Sequence, residues 1–501
     1  MLTVTQRAGR KEWTALAVLM LPVLLVAVDN TVLSFAVPAI SLAFSTSGTT
    51  LLWIIDIYPL VLAGLLVAMG SLGDRFGRRR MLMIGAAGFA ALSAVAAFSP
   101  SAELLVAARA GLGIFGAMLM PATLSLIRNI FTERTQRRLA VAIWAAGFSA
   151  GAALGPLLGG VLLEHFWWGS VFLLAVPMLL PMLVLTPAFV PESRDPEPGP
   201  VDVPSILLSV AALLPVVFAI KQVAAGGDLA AIAAAAAVGI LAGWLFVRRQ
   251  LHRPNPMLDV RLFRYRPFTG AVLVNLLAVF SLVGFLYFVS QHLQLVLGLS
   301  PLRAGLVLLP GLLVTIAAGL LAVPLVRRVA PHLVVAGALL LSAAAYWLAA
   351  STPDASAVTL MAAFGLLGAG VGASETLSND LILSSVPAAK AGAASAVSET
   401  AYEVGSVFGT AVLGSILVGA YRQNINLPSG LSAEQQHAAS ETLGGAITVA
   451  DQLPERTATA LLDSAVHAFD SGVTVTAGLA GALMVASAWL AFRTLRAPQQ
   501  Q

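Results

Sequence analysis

Fourteen apolar runs recur along this chain, each long enough at 1.5 Å per helical residue to cross about 30 Å of hydrocarbon. They fall at 13–35, 51–70, 81–99, 104–127, 138–161, 168–189, 204–225, 229–247, 268–290, 303–325, 333–350, 357–379, 396–419 and 472–492. Only 10% of the 501 residues are charged and 58% are hydrophobic, against about 25% charged in soluble domains. A water-soluble fold would leave too much apolar surface exposed. The class is therefore an all-α polytopic membrane protein with 14 transmembrane helices.

The charges between the runs test that count. With the N-terminus in the cytoplasm, all but five of the 28 basic residues fall in inner segments. Arg303, Arg422 and Arg456 lie in outer ones, and Arg109 and Lys221 lie inside spans. So lopsided a split follows the positive-inside rule and places both termini in the cytoplasm; the excess of arginine over lysine and the abundant alanine point to a bacterial, inner-membrane setting. Arg7, Arg10 and Lys11 precede the first run, but no small-residue cleavage site ends it and Asp29 interrupts it, so it reads as a retained span. The +4 charge is explained by orientation, and nucleic acid is not an expected partner.

The two ends of the chain echo each other. Shifting 109–127 by 255 positions matches Gly113 with Gly368 and Leu126-Ile127 with Leu381-Ile382; a shift of 254 matches Gly151 with Gly405 and Gly155 with Gly409. The organisation expected is a six-helix bundle over 1–190, a linker with two extra spans over 191–267, and a second bundle over 268–501. Pro191–Val203 reads as a cytoplasmic linker. The segment 421–471 reads as a long outer loop. Ser432 and Gln435 form a capping-box pattern and Pro454 opens a helix, so two short helices over the outer mouth are expected. Its acids, Glu434, Glu441, Asp451, Glu455, Asp463 and Asp470, make either a cation-drawing vestibule or an ordinary solvated loop.

Charged side chains inside spans carry the functional signal. Glu399 and Glu403 are four apart and share a helix face. A carboxylate at the bilayer centre costs roughly 2.5–3.5 kcal/mol even on the lenient insertion scale, so such acids face protein or water. Asp29 lies deep in the first span beside Asn30 and Thr31. Asp56 sits between Trp53 and Tyr58 in the second, where an interfacial aromatic cluster with an acid is ordinary. Glu375 ends a glycine-rich run. Arg109 is a permanent cation that must snorkel or pair, with Asp29 a conceivable partner. Trp144, Phe148, Phe285, Tyr287 and Phe288 can wall a site for lipophilic cations, although packing is the commoner role for such rings.

Other classes find little support. There is no cysteine, and none of Lys11, Lys221 and Lys390 sits in a phosphate-binding loop, so a P-loop ATPase of the chain's own is excluded. The histidines 165, 252, 292, 332, 437 and 467 are scattered over loops and span ends, which argues against a metal site or an enzyme. A channel or a non-transporting receptor stays open.

Two glycine motifs complete the pattern. Gly70-Ser-Leu-Gly73-Asp74-Arg75-Phe-Gly77-Arg78-Arg-Arg80 joins spans 2 and 3. Gly73 and Gly77 permit a tight turn, and Asp74 can pair with an arginine in a clasp that opens in another conformation. The same arginines also serve as a plain topology signal. In span 5, Gly147, Gly151, Gly155, Gly159 and Gly160 offer a smooth groove to another helix, and Pro156 removes one backbone hydrogen bond.

These motifs resemble those of the major facilitator superfamily. Gly70–Arg80 looks like its loop signature, Arg109-Ala-Gly-Leu-Gly113 with Gly116-Ala117 like its fourth-span motif, and the glycines around Pro156 like the fifth-span motif of drug exporters. Ala27–Pro38 looks like the first-span motif of the fourteen-span drug:proton antiporters, with Ser34 where that motif often carries asparagine. The likeness to the QacA/LfrA type of multidrug efflux protein extends along nearly the whole chain. The resemblance implies two six-helix bundles plus two extra central helices, and a monomer among membrane lipids. It implies proton-coupled export of lipophilic cations, among them quaternary ammonium compounds, ethidium and fluoroquinolones, with no cofactor beyond the proton gradient. It gives Arg109 a part in proton coupling, Glu399 the place of a span-13 acid carried by QacA-type exporters, and the span-5 motif a sealed hinge. The alternative within transport is an exporter of one physiological metabolite or lipid.

Overall fold

The computed structural model describes residues 8–44, 46–195, 202–253, 256–351, 355–386 and 391–496. Arg7, Lys390 and residues 196–201 of the expected linker lie outside them. Among the described residues there are helices and turns but no strand. The first seven helices are α1 Arg10–Phe44, α2 Gly48–Phe76, α3 Arg78–Ala97, α4 Ala102–Ile130, α5 Arg134–His165, α6 Ser170–Leu173 and α7 Ala175–Phe189. Then come α8 Val203–Ala225 and α9 Leu229–His252. The remainder are α10 Arg266–Gln291, α11 Pro301–Leu325, α12 Pro331–Ala350, α13 Ala357–Ser384, α14 Ala391–Phe408, α15 Ser415–Asn424, α16 Ala433–Glu441, α17 Leu443–Ala450 and α18 Glu455–Thr494. Among the described residues fourteen helices are long and apolar enough to cross a membrane, with α6–α7 and α14–α15 each forming one. An even number of crossings returns the end of α18 to the side from which α1 starts. We call that side terminal and the opposite side distal.

Local chemistry starts the helices in the same way in both halves. Ser47 caps α2 and Ser101 caps α4, each accepting from a backbone N–H three residues on. Ser300 does this for α11 and Ser356 for α13, satisfying donors that a helix start leaves open. The glycine echo has the same basis. A Cβ on Gly151 would lie 2.8 Å from Leu24 O of α1, and one on Gly405 would lie 2.3 Å from Leu276 O of α10. Gly113 presses on Tyr58 O of α2, and its counterpart Gly368 presses on Gly311 O of α11. In lipid no hydrophobic force drives helices together, so this close backbone approach is what packs them.

The span-5 glycines divide between two neighbours. Gly147, Gly151, Gly155 and Gly159 face α1, against Met20, Leu24, Thr31 and Val32. Gly160 faces Leu302 of α11, whose Gly305 meets Pro156 in return. Pro156 leaves Ala152 O without its helical donor, and Thr31 Oγ1 of α1 donates to that oxygen at 3.0 Å.

The inserted pair sits at the side. The helices α8 and α9 pack on each other at Gly239, and most of α9 is exposed. Asp202 caps α8 and pairs with Arg249 at 2.7 Å and Arg253 at 3.2 Å. Partial burial pushes the Asp202 carboxyl up, but hydrogen bonds from Arg249 and Ser205 outweigh it and hold it below the ordinary carboxylate value.

Three departures from the sequence reading concern the distal side. Two short helices, α16 and α17, do form, and the Ser432–Gln435 capping box is complete. The last span begins at Glu455, however, and runs for 40 residues, so the outer segment is shorter than 421–471. Alanine-rich turns with polar residues on one face score poorly as membrane sequence yet make good helix. Of the six acids assigned to that loop, Glu441 and Asp470 are buried, while Glu434, Asp451, Glu455 and Asp463 are exposed. The crossing at 396–419 is also interrupted, by a π-helical turn over Gly409–Gly414.

The glycine seam between α1 and α5 makes a direct test. Gly151→Val is expected to lower stability by about 1–3 kcal/mol through overpacking. Gly365→Ala, where a Cβ meets nothing within 4 Å, is expected to leave it unchanged or slightly higher. Thermal unfolding in detergent, read by tryptophan fluorescence, compares them.

Candidate functional site

Between the two halves, α1 and α14 face each other midway along their lengths. Asp29 of α1 is buried and accepts from Arg109 Nη1 of α4 at 2.8 Å. Arg109 is only 2% exposed, yet its donors find partners. Nε reaches Ile54 O at 3.1 Å and Nη2 reaches Ile55 O at 3.4 Å. Pro59 of α2 explains why that second oxygen is free, since a proline four residues on cannot donate to it. The guanidinium also stacks over Tyr58 at 4.6 Å and near Phe172 at 5.8 Å. The expected Asp29–Arg109 pairing is present, and its carbonyl partners add what a buried cation needs.

Across the seam, Glu403 of α14 is buried beside Asn30, with Asp29 and Glu399 as charged neighbours. Glu403 Oε2 and Asn30 Nδ2 each lack an aligned hydrogen bond. One turn toward the terminal side, Glu399 is half-buried, as is Glu375 of α13. Among the described residues none of these three glutamates has a basic group within ion-pairing distance; the basic group whose charge reaches Glu399 is Arg128. Tyr402, flanked by Glu375 and Glu403, meets Phe148 of α5 edge-on at 5.5 Å. That contact joins the halves. The other expected wall residues lie elsewhere: Phe285 and Phe288 pack with Tyr346 and Phe364 inside the second half, and Trp144 donates to Thr123.

Asp56 lies apart from this cluster. It is 1% exposed in its side chain and pairs at 2.9 Å with Lys221 of α8, which is fully buried. The ammonium donates to Leu52 O at 2.9 Å and sits 4.0 Å over the Trp53 ring. Its contact with Asp56 is an ion pair by distance rather than an aligned hydrogen bond. Sequence reading marked each charge as lying inside a span but did not join them. The signal was there: an acid and a lysine alone in apolar helices each demand a partner.

The hydrogen bonds that knit the halves lie toward the distal side. Ser290 Oγ donates to Ser34 O at 2.7 Å, and that oxygen is free because Pro38 follows four residues on. Gln294 Nε2 donates to Phe35 O at 3.2 Å. Glu164 of α5 accepts from Ser300 and Leu302. Glu441 accepts from Gly48 N and Arg422, and Ser41 meets Thr442.

At the terminal side the loop between α2 and α3 is clasped within its own half. Arg78 Nε and Nη2 both reach Asp74 Oδ1, at 2.9 and 2.7 Å, and Nη1 reaches Ser193. Glu192 accepts from Arg79 N. Gly77 has φ +112°, open to glycine alone, and a Cβ there would strike the Glu192 carboxylate at 2.8 Å. Gly73 is buried at the turn, Gly70 rests on Pro121, and Arg75 is exposed.

The Major Facilitator Superfamily profile matches residues 19–410. The chain belongs to the major facilitator superfamily. It is 60% identical to the multidrug efflux pump LfrA of Mycolicibacterium smegmatis over 485 residues, 97% of this chain and 96% of that one. It is 40% identical over 480 residues to the methyl viologen resistance protein SmvA of Salmonella typhimurium, covering 95% and 96%. Among solved structures, the bacterial homolog of the human lysosomal transporter Spinster, inward-facing and occupied, aligns with TM-score 0.64 at 19% identity over 97% of this chain and 98% of its own; it bears on the fold alone. The superfamily and these relatives are transporters, not enzymes, and this chain is a multi-pass membrane protein of that kind.

The Arg109 site predicts an asymmetry. Arg109→Met alone is expected to destabilise by about 3–5 kcal/mol, because Asp29 keeps a buried charge with no partner. Adding Asp29→Asn removes the second charge and is expected to recover most of that loss. Unfolding temperatures of the two variants in detergent decide it.

Proposed function

We propose that this protein is a proton-coupled exporter of lipophilic cations working by alternating access. The observation that carries the reading is the placement of Glu399, Glu403 and Glu375 at the seam, without counter-ions, in an otherwise apolar membrane interior. A carboxylate so placed is costly unless a proton or a cation neutralises it. Two ligands competing for one acid is the chemistry of exchange. The bundles 1–190 and 268–501 are the moving units in this reading, with 191–267 as linker and inserted pair.

The arginine distribution supports taking the terminal side as cytoplasm. Distal hydrogen bonds between halves, with half-buried glutamates toward the terminal side, support an inward-facing state, in which cytoplasmic cargo reaches Glu399 and Glu375. Tyr402 and Phe148 offer it aromatic faces. The distal seam then opens and the Asp74–Arg78 clasp rearranges. Protons from outside take the carboxylates and release the cargo. Asp29 acts beside Glu403 with Arg109 fixing its position, while Asp56 acts through Lys221. The span-5 glycines and Pro156 form the hinge. A potential of 100 mV adds about 2.3 kcal/mol per net charge moved, which is drive enough without ATP.

The relatives support the cargo class. One is a multidrug efflux pump and another a methyl viologen resistance protein; methyl viologen is an aromatic dication. Glu399→Gln is expected to impair export of dications more than of monocations, and Glu403→Gln to uncouple export from the proton gradient. Purified protein in liposomes, loaded with ethidium or methyl viologen and given an imposed pH step, measures both. Export indifferent to the pH step in the unsubstituted protein excludes proton coupling, and a downhill-only flux points to a channel. Normal transport of every cation by Glu399→Gln removes that residue from the mechanism.

A further inference from the structure

On the terminal side of the second bundle, where α10 starts and α18 ends, a groove of about 390 Å³ is lined by Phe263, Arg266, Thr269, Arg493 and Thr494. Sites for small ligands span roughly 300–1,000 Å³. The groove stands at the end of a close helix contact, because Gly270 of α10 presses on Thr494 of α18 with no room for a Cβ between them. A short 3₁₀ turn, Val260–Arg264, supplies one wall. Thr269 Oγ1 fastens it to α10 by donating to Phe263 O at 2.7 Å.

The charge in the groove has one sign. Arg266 and Arg493 are both exposed, and among the described residues neither makes an ion pair or a side-chain hydrogen bond. The helix α10 contains no acid, and α18 has none after Asp470. Along the chain the nearest acid to Arg266 is Asp259, which caps the 3₁₀ turn by accepting from Arg261 N at 3.2 Å. Residues 254–255 and 497–501, which lie outside the described residues, carry no acidic side chain. Both threonine hydroxyl hydrogens are already spent, that of Thr269 on Phe263 O and that of Thr494 on Leu490 O at 2.9 Å. What remains is two guanidinium forks, which only donate. They stand beside the positive end of α10, to which Tyr265 gives no side-chain cap. Such a set recognises an anionic oxygen group, and phosphate above all.

The surroundings make that anion part of a lipid. Arg493 lies at the end of the last span, with its guanidinium 4.9 Å over the Trp489 ring. Stacking uses the flat face of the fork and leaves its in-plane N–H groups free. Trp489 is 60% exposed, and Ala486 and Ala482, on the same face of the helix, are exposed as well. An apolar strip therefore runs from the arginine into the membrane, with a tryptophan at the level where aromatic belts sit. Tyr265, beside Arg266, is exposed at the same boundary. A cationic pocket that continues into an apolar strip has the form of a phospholipid, phosphate at the boundary and chains below it. A soluble anion would use the pocket and leave the strip without purpose.

We propose that this groove binds the headgroup of an anionic phospholipid from the terminal leaflet, with its phosphate between Arg266 and Arg493 and its chains along the Trp489 face of α18. A zwitterionic headgroup brings an ammonium, which two unpaired guanidiniums repel, so the site selects lipids of net negative charge. One arginine opens α10 and the other closes α18. The bound lipid thus ties these two helix ends together across the groove. Its binding depends on the chain's place in a membrane and not on the export mechanism.

Native mass spectrometry of the full-length protein, released from detergent after incubation with phosphatidylglycerol or phosphatidylcholine, tests the site. The unsubstituted protein is expected to retain phosphatidylglycerol in preference. Arg266→Gln and Arg493→Gln are each expected to lower that retention about fivefold, the share of one arginine near an anionic surface. Both side chains are exposed and unbonded, so these variants keep the fold. As a control, Arg327→Gln with Arg328→Gln removes two exposed arginines from the same side, between α11 and α12, and is expected to leave retention unchanged. Phosphatidylglycerol is also expected to raise the unfolding temperature of the unsubstituted protein but not that of the Arg266→Gln, Arg493→Gln double variant. Equal retention of the two lipids by the unsubstituted protein overturns the proposal. So does an equal loss in the control, which would mark diffuse attraction to the surface. Displacement of phosphatidylglycerol by excess inorganic phosphate overturns it too, because the groove would then be a site for a soluble anion.

Discussion

A backbone carbonyl without a donor is costly in lipid, because no water is there to replace the missing hydrogen bond. Each proline inside a span creates such an oxygen four residues earlier. Three of these oxygens are taken up by side chains from other helices. Pro59 frees Ile55 O for Arg109, Pro156 frees Ala152 O for Thr31, and Pro38 frees Ser34 O for Ser290. The first two fix helices within one half, and the third joins the halves. The prolines thus do more than bend helices, since they set acceptors at chosen depths and so specify which helices must meet there. The glycines set the complementary condition by letting those backbones approach.

The same rule sorts the charges. Four buried acids have a basic partner: Asp29 with Arg109, Asp56 with Lys221, Glu441 with Arg422 and Asp470 with His292. They lie at the middle or distal depth, and the partners of each come from different helices. Among the described residues Glu399, Glu403 and Glu375 have no such partner. Had these three been scattered they would read as unrelated polar residues. Grouped beside Tyr402 at the seam, where the distal side is bonded shut, they are placed where neutralisation can come from outside the protein. A buried pair holds helices in place; an unpaired acid keeps its position only while something else occupies it.

Topology was legible because lipid leaves so few alternatives: span number, alternation and the repeat at 254–255 positions all follow from patterns of apolar residues, arginine and glycine. The Asp29–Arg109 pair was legible for a related reason, as both charges sit where only a partner can hold them. Lys221 and Asp56 obeyed the same logic, but their meeting depends on how α8 rotates against α2, which periodicity does not encode. Asp470 was hidden differently. The first turns of α18 are too polar to count as membrane sequence, so an acid buried in a helix looked like part of a loop. With Asp470 taken for solvent-facing, His292 had no visible partner. The π-wound turns at 292–296 and 409–414 leave no compositional trace at all.

The inserted pair shows how a two-bundle transporter can carry extra helices beside its seam. Ser209 donates to Gly64 O and Lys221 to Leu52 O, both on α2, while toward the second half Val217 packs with Val407 and Ala411 and Arg422 reaches Ala224 O. The outer helix α9 leans on α8 and otherwise faces lipid. Neither helix stands between α1 and α14, where the unpaired glutamates lie. The insertion is thus fastened to the first bundle by an ion pair and hydrogen bonds, and meets the second through apolar packing and one hydrogen bond. Lys221 is what makes the attachment definite: a lysine drawn fully into the membrane cannot slide along α2, because only at Asp56, beneath the Trp53 ring, does it find a counter-charge.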